Sequence, residues 1–281
     1  MNSMSSSNKI TYLKFKAWKN YMIIVISYCE RFETCESFEG CVWEFKLDDG
    51  KRYMKYKKKN VTCEKKFEDS TDWHMYAARL CTQLLERYKE TIEVLDFQGT
   101  VFNGKLYNYD FGIEKLSTLR ELYLYDEINA FPIVSKLRIT LRILHVHGAE
   151  GDQIIENCPQ IYQVTEKLNL ISTKLTNSQM LRLSAEKVDL PLGDLTELEV
   201  SNFIKAWQNQ TLGKEIANYS WDRKRNTKFD GEKLFNLLGA KYNDNGRQEF
   251  EAKLMSTDGK RASLFCEPCA VTFIVWSEDE L

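Results

Sequence analysis

Apolar residues recur along the middle of the chain in short segments about 20–30 residues apart. In these segments they occupy positions 1, 4 and 6, except that Thr165 fills position 1 of the unit around Leu168, and this spacing is typical of a strand followed by a return segment. The fourth positions are Leu95, Leu122, Leu144, Leu168, Val188 and Tyr219. One such unit cannot bury its own apolar face, but stacked units share a core. The pattern predicts an α/β fold with a leucine-rich-repeat-like curved sheet and helical returns. An ordinary α/β domain built from strand–helix units of similar length is the alternative.

Alternating apolar and polar runs on both sides of the repeats predict N- and C-terminal β-hairpins. Each pair of runs is joined by an Asp-Gly step, at Asp49-Gly50 and at Asp258-Gly259, which is a strong hairpin signal. The predicted strand pairs are Val42–Leu47 with Lys51–Lys57, and Phe250–Ser256 with Lys260–Phe265. Val271–Trp276 also alternates and is expected to form a final strand.

These patterns divide the chain into four parts. Residues 1–9 are polar and predicted to be disordered, and residues 277–281 form an acidic tail. Between them we expect a β-rich segment over 10–69 and the repeat-like domain over 70–276. The apolar run Tyr21–Ser27 is much shorter than the roughly 20 residues that a membrane span needs, so it is interpreted as a buried strand.

Two helices are predicted from local signals. A stripe of apolar residues predicts a helix over 70–88, with Ser70 or Thr71 as its N-cap and Asp72 in its first turn. Thr196 and Glu199 have capping-box spacing, and the helix that follows carries an apolar stripe of Val200, Phe203, Ile204 and Trp207.

Positions 5 and 7 of the repeat point away from the predicted core, because side chains alternate along a strand. Aromatic side chains with a polar tip suit protein recognition, and tyrosines and histidines occupy several of these positions. We therefore expect a partner-binding face at Asp96, Gln98, Tyr123, Tyr125, His145, His147 and Asn169.

Composition narrows the choice of partner. The 281 residues are 43% apolar, enough for a core without disulfides, and their formal charge is only −2. A near-neutral chain does not favour nucleic acid as partner, and no run is long enough for a membrane span. The eight cysteines are scattered through a long chain, which indicates reduced thiols and a cytoplasmic or nuclear location.

Motifs for catalysis are weak. Gly99 to Lys105 has phosphate-loop spacing, but Leu106 stands where Ser or Thr would hold magnesium. Cys266 and Cys269 form a single CxxC, half of a zinc site, and are interpreted as thiols in a turn. The sequence predicts no catalytic, cofactor or metal site, and so a protein that is not an enzyme. An enzyme with an unrecognised pocket is the remaining alternative.

Several motifs resemble nematode F-box-associated type 2 domains. The segment Val188–Trp207 is similar to the signature stretch of that family, with Leu195-Thr196 followed by Asn202-Phe203-Ile204-Lys205-Ala206-Trp207. The segments Thr257–Ala262 and Phe273–Trp276 resemble the hairpin and the closing strand of the family. The resemblance covers about residues 70–276.

The resemblance implies the substrate-recognition part of an F-box protein. Such a protein binds a Skp1-type adaptor of a cullin ubiquitin ligase through an N-terminal F-box and holds its target with the associated domain. This sequence departs from the family there, since residues 1–40 contain no proline and Ile10–Arg31 lacks helical periodicity. No F-box is recognised. The alternative is a stand-alone interaction scaffold with no ligase role.

Overall fold

The chain is described by a computed structural model. It covers residues 10–18, 21–27, 40–48, 51–58, 61–68, 72–99, 109–126, 130–148, 150–171, 175–193, 195–223, 227–244 and 248–277. Predictions about residues 1–9, Asp49-Gly50, the segment after Gly99 and residues 278–281 lie outside these ranges. The described residues are α/β, with 15 strands and six α-helices. They fall into two compact units, Met1–Leu141 and Arg142–Leu281.

The described part of the first unit has seven strands and two α-helices. The strands are β1 (Tyr12–Trp18), β2 (Tyr21–Ser27), β3 (Gly40–Asp48), β4 (Lys51–Lys58), β5 (Val61–Phe67), β6 (Val94–Gly99) and β7 (Glu121–Asp126). The helices are α1 (Trp73–Arg87) and α2 (Ala130–Ser135). The strand order is β7-β6-β1-β2-β3-β4-β5. β6 is parallel to both β7 and β1, and the remaining pairs are antiparallel.

The described part of the second unit has eight strands and four α-helices. The strands are β8 (Ile143–His147), β9 (Lys167–Leu170), β10 (Lys187–Gly193), β11 (Asn218–Arg223), β12 (Asn243–Asp244), β13 (Phe250–Met255), β14 (Arg261–Cys266) and β15 (Ala270–Val275). The helices are α3 (Gly151–Asn157), α4 (Asn177–Arg182), α5 (Glu197–Gln208) and α6 (Gly231–Leu238). β8 to β11 are parallel neighbours, and β15, β14, β13 and β12 continue the sheet in antiparallel pairs.

The apolar repeat positions lie in the core of each unit. In the first unit Leu95 is directly opposite Leu122, and in the second Leu144 is opposite Leu168, which neighbours Val188. All five side chains are at most 3% exposed. The buried positions predicted from the sequence are therefore confirmed.

Two strands lie near the N-terminus. The predicted strand at Tyr21–Ser27 matches β2, and β1 and β2 are extended rather than helical, whereas residues 1–9, 19–20 and 28–39 of the segment compared with an F-box lie outside the described ranges. In the described part of the chain, no helix has the length and apolar character that crossing a membrane requires.

Each of the two predicted helices begins at a capping residue. The N-cap of α1 is Asp72, whose carboxylate accepts a hydrogen bond from the Met75 N–H at 3.3 Å, so the choice of Ser70 or Thr71 was wrong. A carboxylate at the cap also interacts favourably with the positive end of the helix dipole. The capping box of α5 is confirmed: Thr196 accepts from the Glu199 N–H, and the Glu199 carboxylate accepts from the Thr196 N–H.

Helices and aromatic side chains cover one face of the strands. In the first unit, Tyr76 of α1 packs against Phe45 and Phe67. In the second unit, Phe203 of α5 lies 4.6 Å from Tyr219 between ring centroids. The other helical aromatic of α5, Trp207, packs edge-on against Phe273. Side chains alternate between the two faces of a strand. The polar positions of these strands therefore lie on the face opposite the one that the helices cover.

Candidate protein-binding faces

The first unit carries a polar face on β6 and β7, here called the first polar face, made of Asp96, Gln98, Tyr123 and Tyr125. In the sheet register Asp96 is opposite Tyr123, and Gln98 is opposite Tyr125. The structure therefore brings together the four residues that the sequence placed on a common face in this unit. Gln98, Tyr123 and Tyr125 are half-buried.

The two tyrosines of this face form an aromatic patch of stacked rings. Their rings are parallel to within 6°, with centroids 6.4 Å apart. The Tyr123 hydroxyl donates to the Glu121 carboxylate at 2.9 Å, which fixes the orientation of its ring. Rigid tyrosines lose little conformational entropy when a partner binds, so this patch is suited to protein recognition.

Asp96 departs from the expectation that position 5 is open to a partner. Its side chain is buried and forms a 2.8 Å ion pair with Lys14 of β1. The Tyr12 hydroxyl and the Gln98 amide donate to the same carboxylate oxygen, Oδ2. Because β1 lies beside β6, its side chains cover Asp96, and the prediction of an exposed residue there was wrong.

The second unit carries the second polar face, a row that crosses five strands. Paired neighbours run from His145 on β8 through the next three parallel strands to Thr272 on β15. The members are His145, Asn169, Asp189, Ser220 and Thr272. All five are half-buried, whereas the side chains that alternate with them, such as Leu168 and Tyr219, are in the core.

Hydrogen bonding joins members of this row. The Asn169 amide donates to Asp189 Oδ2 at 2.8 Å. The Asn169 Oδ1 atom is buried without a hydrogen-bond partner among the described residues. A buried acceptor of this kind favours a ligand that brings a donor.

Two carboxylates of this sheet face are partly desolvated. Burial raises the pKa of Asp189, and the nearby charge of Lys167 partly opposes this effect. Asp222, two residues beyond Ser220 on β11, also has a raised pKa, first through burial and then through the negative charge of Asp189. A donor or cation from a partner would relieve both costs.

The sequence analysis missed four of these residues: Thr272, which lies outside the repeats, and three for which the signal was present. Asp189 and Ser220 occupy position 5 of the later repeats, and Asp222 occupies position 7. The rule that selected Asn169 selects them as well. His147, which the rule did select, is exposed at the end of β8.

The other candidates for chemistry are metal-binding clusters and the two cysteines of the CxxC motif. Within the described ranges, no group of three or more His, Cys, Asp or Glu side chains could hold a metal ion. Cys266 is buried at the end of β14, and burial raises the pKa of its thiol to about 12, which disfavours the thiolate that metals and disulfide exchange need. Cys269 is exposed in the turn before β15.

Comparison with known proteins adds no assignment: the chain matches no protein-family profile, no curated protein and no solved structure.

Proposed function

We propose that the chain is a non-catalytic protein-binding module whose targets contact the first and second polar faces. The observation that carries this proposal is the contrast between the two sides of the same strands. Leu168 and Val188 are buried on one side, while Asn169 and Asp189 stand half-buried on the other. A row of mixed donors and acceptors, with an aromatic patch in the other unit, suits recognition of a protein surface.

The parallel strands also support a leucine-rich-repeat-like arrangement as a proposal. β8, β9, β10 and β11 are consecutive along the chain and adjacent in the sheet, and helical returns such as α3, α4 and α5 connect them. This order supports a stacked repeat, in which each repeat would contribute one strand to a common binding surface.

The proposed role is substrate recognition in a Skp1–cullin ubiquitin ligase, as the family resemblance implies. A specific observation favours the second candidate, a stand-alone scaffold. Residues Tyr12–Trp18 and Tyr21–Ser27 are strands integrated into the sheet, whereas an adaptor would bind a helical F-box. Purified Skp1-type adaptor distinguishes the two roles: a stable complex supports the receptor, and its absence at micromolar concentrations supports the scaffold.

Affinity capture from cell extract, with quantitative mass spectrometry, tests the binding proposal itself. The variants are Tyr123→Ala/Tyr125→Ala for the first polar face and Asn169→Ala/Asp189→Ala for the second. Asn202→Ala/Lys205→Ala is the matched control, because both residues are exposed on α5. We expect each polar-face variant to lose bound proteins that the control retains. A protein set that none of the variants changes would refute the proposal.

A further inference from the structure

The strand at one edge of the first unit is exposed along most of its length. Among the described strands, β5 pairs only with β4, so one side of its backbone has no strand partner. Residues 61–66 are exposed on both faces of the strand, and Val61 is 58% exposed. Only Phe67, at the end of β5, is buried. An edge of this kind offers a row of backbone donors and acceptors to an extended peptide.

Basic residues surround this edge. β4 reads KRYMKYKK and β5 reads VTCEKKF, so Glu64 is the only acidic residue in the two strands. Glu64 lies 4.0 Å from Lys55, and the Lys57 ammonium is held by Glu44 of β3 at 3.4 Å. Lys58 and Lys66 are exposed and have no ion pair with any described residue.

The unpaired charges lie on both faces of the sheet. In the register of β4 and β5, Lys66 is opposite Tyr53 on the face that carries Lys55 and Lys57. Lys58 is opposite Val61 on the other face, which also carries Lys65. A strand added beside β5 would send alternate side chains to these two faces. Acidic side chains at every second position of the added strand would lie on a single face. They would therefore meet either Lys66 or the pair Lys58 and Lys65.

We propose that the open edge of β5 binds an extended acidic peptide by strand addition. The backbone of the peptide would pair with β5, and carboxylates on one face of the peptide would contact either Lys58 and Lys65 or, on the opposite sheet face, Lys66. Binding would also cover Val61 and remove the exposed edge. This surface is separate from the first and second polar faces and goes beyond the function proposed for them.

The distribution of charge favours a peptide over nucleic acid. The phosphates of a nucleic acid would need a single basic surface, whereas these lysines are divided between two sheet faces. Glu44 and Glu64 stand on one of those faces, beside Lys46 and Lys55, in a groove of about 380 Å³. The chain as a whole carries a formal charge of −2, so no general positive field would attract phosphates.

Fluorescence anisotropy on the full chain tests this proposal with four labelled probes. They are the capped peptide EVDVEVD, its basic counterpart KVKVKVK, an EVDVEVD peptide N-methylated at every residue, and a single-stranded oligothymidine. We expect saturable binding of EVDVEVD that weakens with added salt, and much weaker binding of the other three. N-methylation should abolish binding because it removes the backbone donors that pair with β5.

Charge reversal locates the site. Lys58→Glu/Lys66→Glu should weaken EVDVEVD binding about tenfold or more, a change of ~1.4 kcal/mol or greater. The control Lys205→Glu/Lys241→Glu makes the same change in net charge at exposed residues of the second unit and should leave binding unchanged.

Four outcomes overturn the proposal: no binding of EVDVEVD at millimolar concentration, equal binding of the N-methylated peptide, tighter binding of oligothymidine, or equal loss in the control variant. The first three use the wild-type chain and do not depend on the folding of a variant. Since the polar-face variants leave β5 intact, failure here is distinguishable from failure of the proposed function.

Discussion

Lys14 and Asp96 form an ion pair inside the first unit, with Nζ 2.8 Å from Oδ2 and side chains only 7% and 9% exposed. Removing two charges from water is costly, and their attraction together with the hydrogen bonds from Tyr12 and Gln98 offsets that cost. The pair therefore stabilises the contact between β1 and β6 only when both charged residues are present.

Replacing one partner should destabilise the chain strongly. We expect Lys14→Met to lower the free energy of unfolding by ~3–5 kcal/mol, because it leaves the Asp96 carboxylate buried and uncompensated. Lys14→Met/Asp96→Leu should recover most of the loss. Urea denaturation measures both values. Lys136→Met, which breaks the exposed pair with Asp110, is the control and should have little effect. A small loss in Lys14→Met would show that the pair is not buried as described.

Lys214 of the second unit is a cation in partly apolar surroundings. Its ammonium contacts the Leu183 carbonyl and the Tyr219 hydroxyl, and it lies 5.4 Å from the ring centroids of both Phe203 and Tyr219. Burial lowers the pKa of Lys214 from 10.5 to about 8.

This pKa predicts a pH dependence of stability. Between pH 8 and 10.5 the unfolded chain keeps a proton on Lys214 that the folded chain has released. Since the unfolded state binds more protons in this window, the free energy of unfolding rises with pH there. The difference between the wild-type chain and Lys214→Met isolates this contribution from the tyrosines and thiols. Chemical denaturation across the window should show that difference increasing, and a constant difference would contradict the assignment.

At the scale of elements, α5 illustrates how much of the fold short-range sequence predicts. Its capping box and its buried stripe of Val200, Phe203, Ile204 and Trp207 lie within a dozen consecutive residues, and the structure contains both. The environment of Asp96 was missed because its partners come from a distant segment: Tyr12 is 84 residues away. Long-range strand pairing has no local signature, so a polar residue at an outward position was taken to be exposed.

The capping box also allows a prediction. Thr196→Ala removes the acceptor for the Glu199 N–H and should lower the free energy of unfolding by ~1 kcal/mol. Thr196→Ser keeps the hydroxyl and should lie close to the wild type. Thermal unfolding followed by circular dichroism compares the two. If both variants lost equal stability, the cap would not be the source of the effect.

Glu197, at the first position of α5, connects this helix to α6. Its carboxylate accepts from the Asp230 N–H at 3.0 Å and lies 3.0 Å from the Arg223 guanidinium. Burial opposes its ionisation, but the Asp230 N–H and the charges of Arg223 and Lys233 outweigh that effect and lower its pKa. The negative charge is thus retained where the start of α5, the N-cap of α6 and β11 meet.

At the scale of the whole molecule, each unit has a buried side and a polar side on the same strands. The core positions Leu95, Leu122, Leu144, Leu168 and Val188 followed from their spacing alone, since burial imposes periodicity on a sequence. Composition could not indicate which polar positions remain accessible, because that depends on which strands and helices cover them. We therefore propose that both polar faces are open to a partner, whatever protein that partner is.

Site-specific photo-crosslinking tests that claim most directly. Benzoylphenylalanine replaces Tyr125 on the first polar face, Ser220 on the second, or Asn202 on the exposed side of α5, and each protein is irradiated in cell extract. We predict crosslinked proteins from Tyr125 and Ser220 and none from Asn202. Crosslinks from Asn202 alone would place the binding surface on the helices and contradict the account.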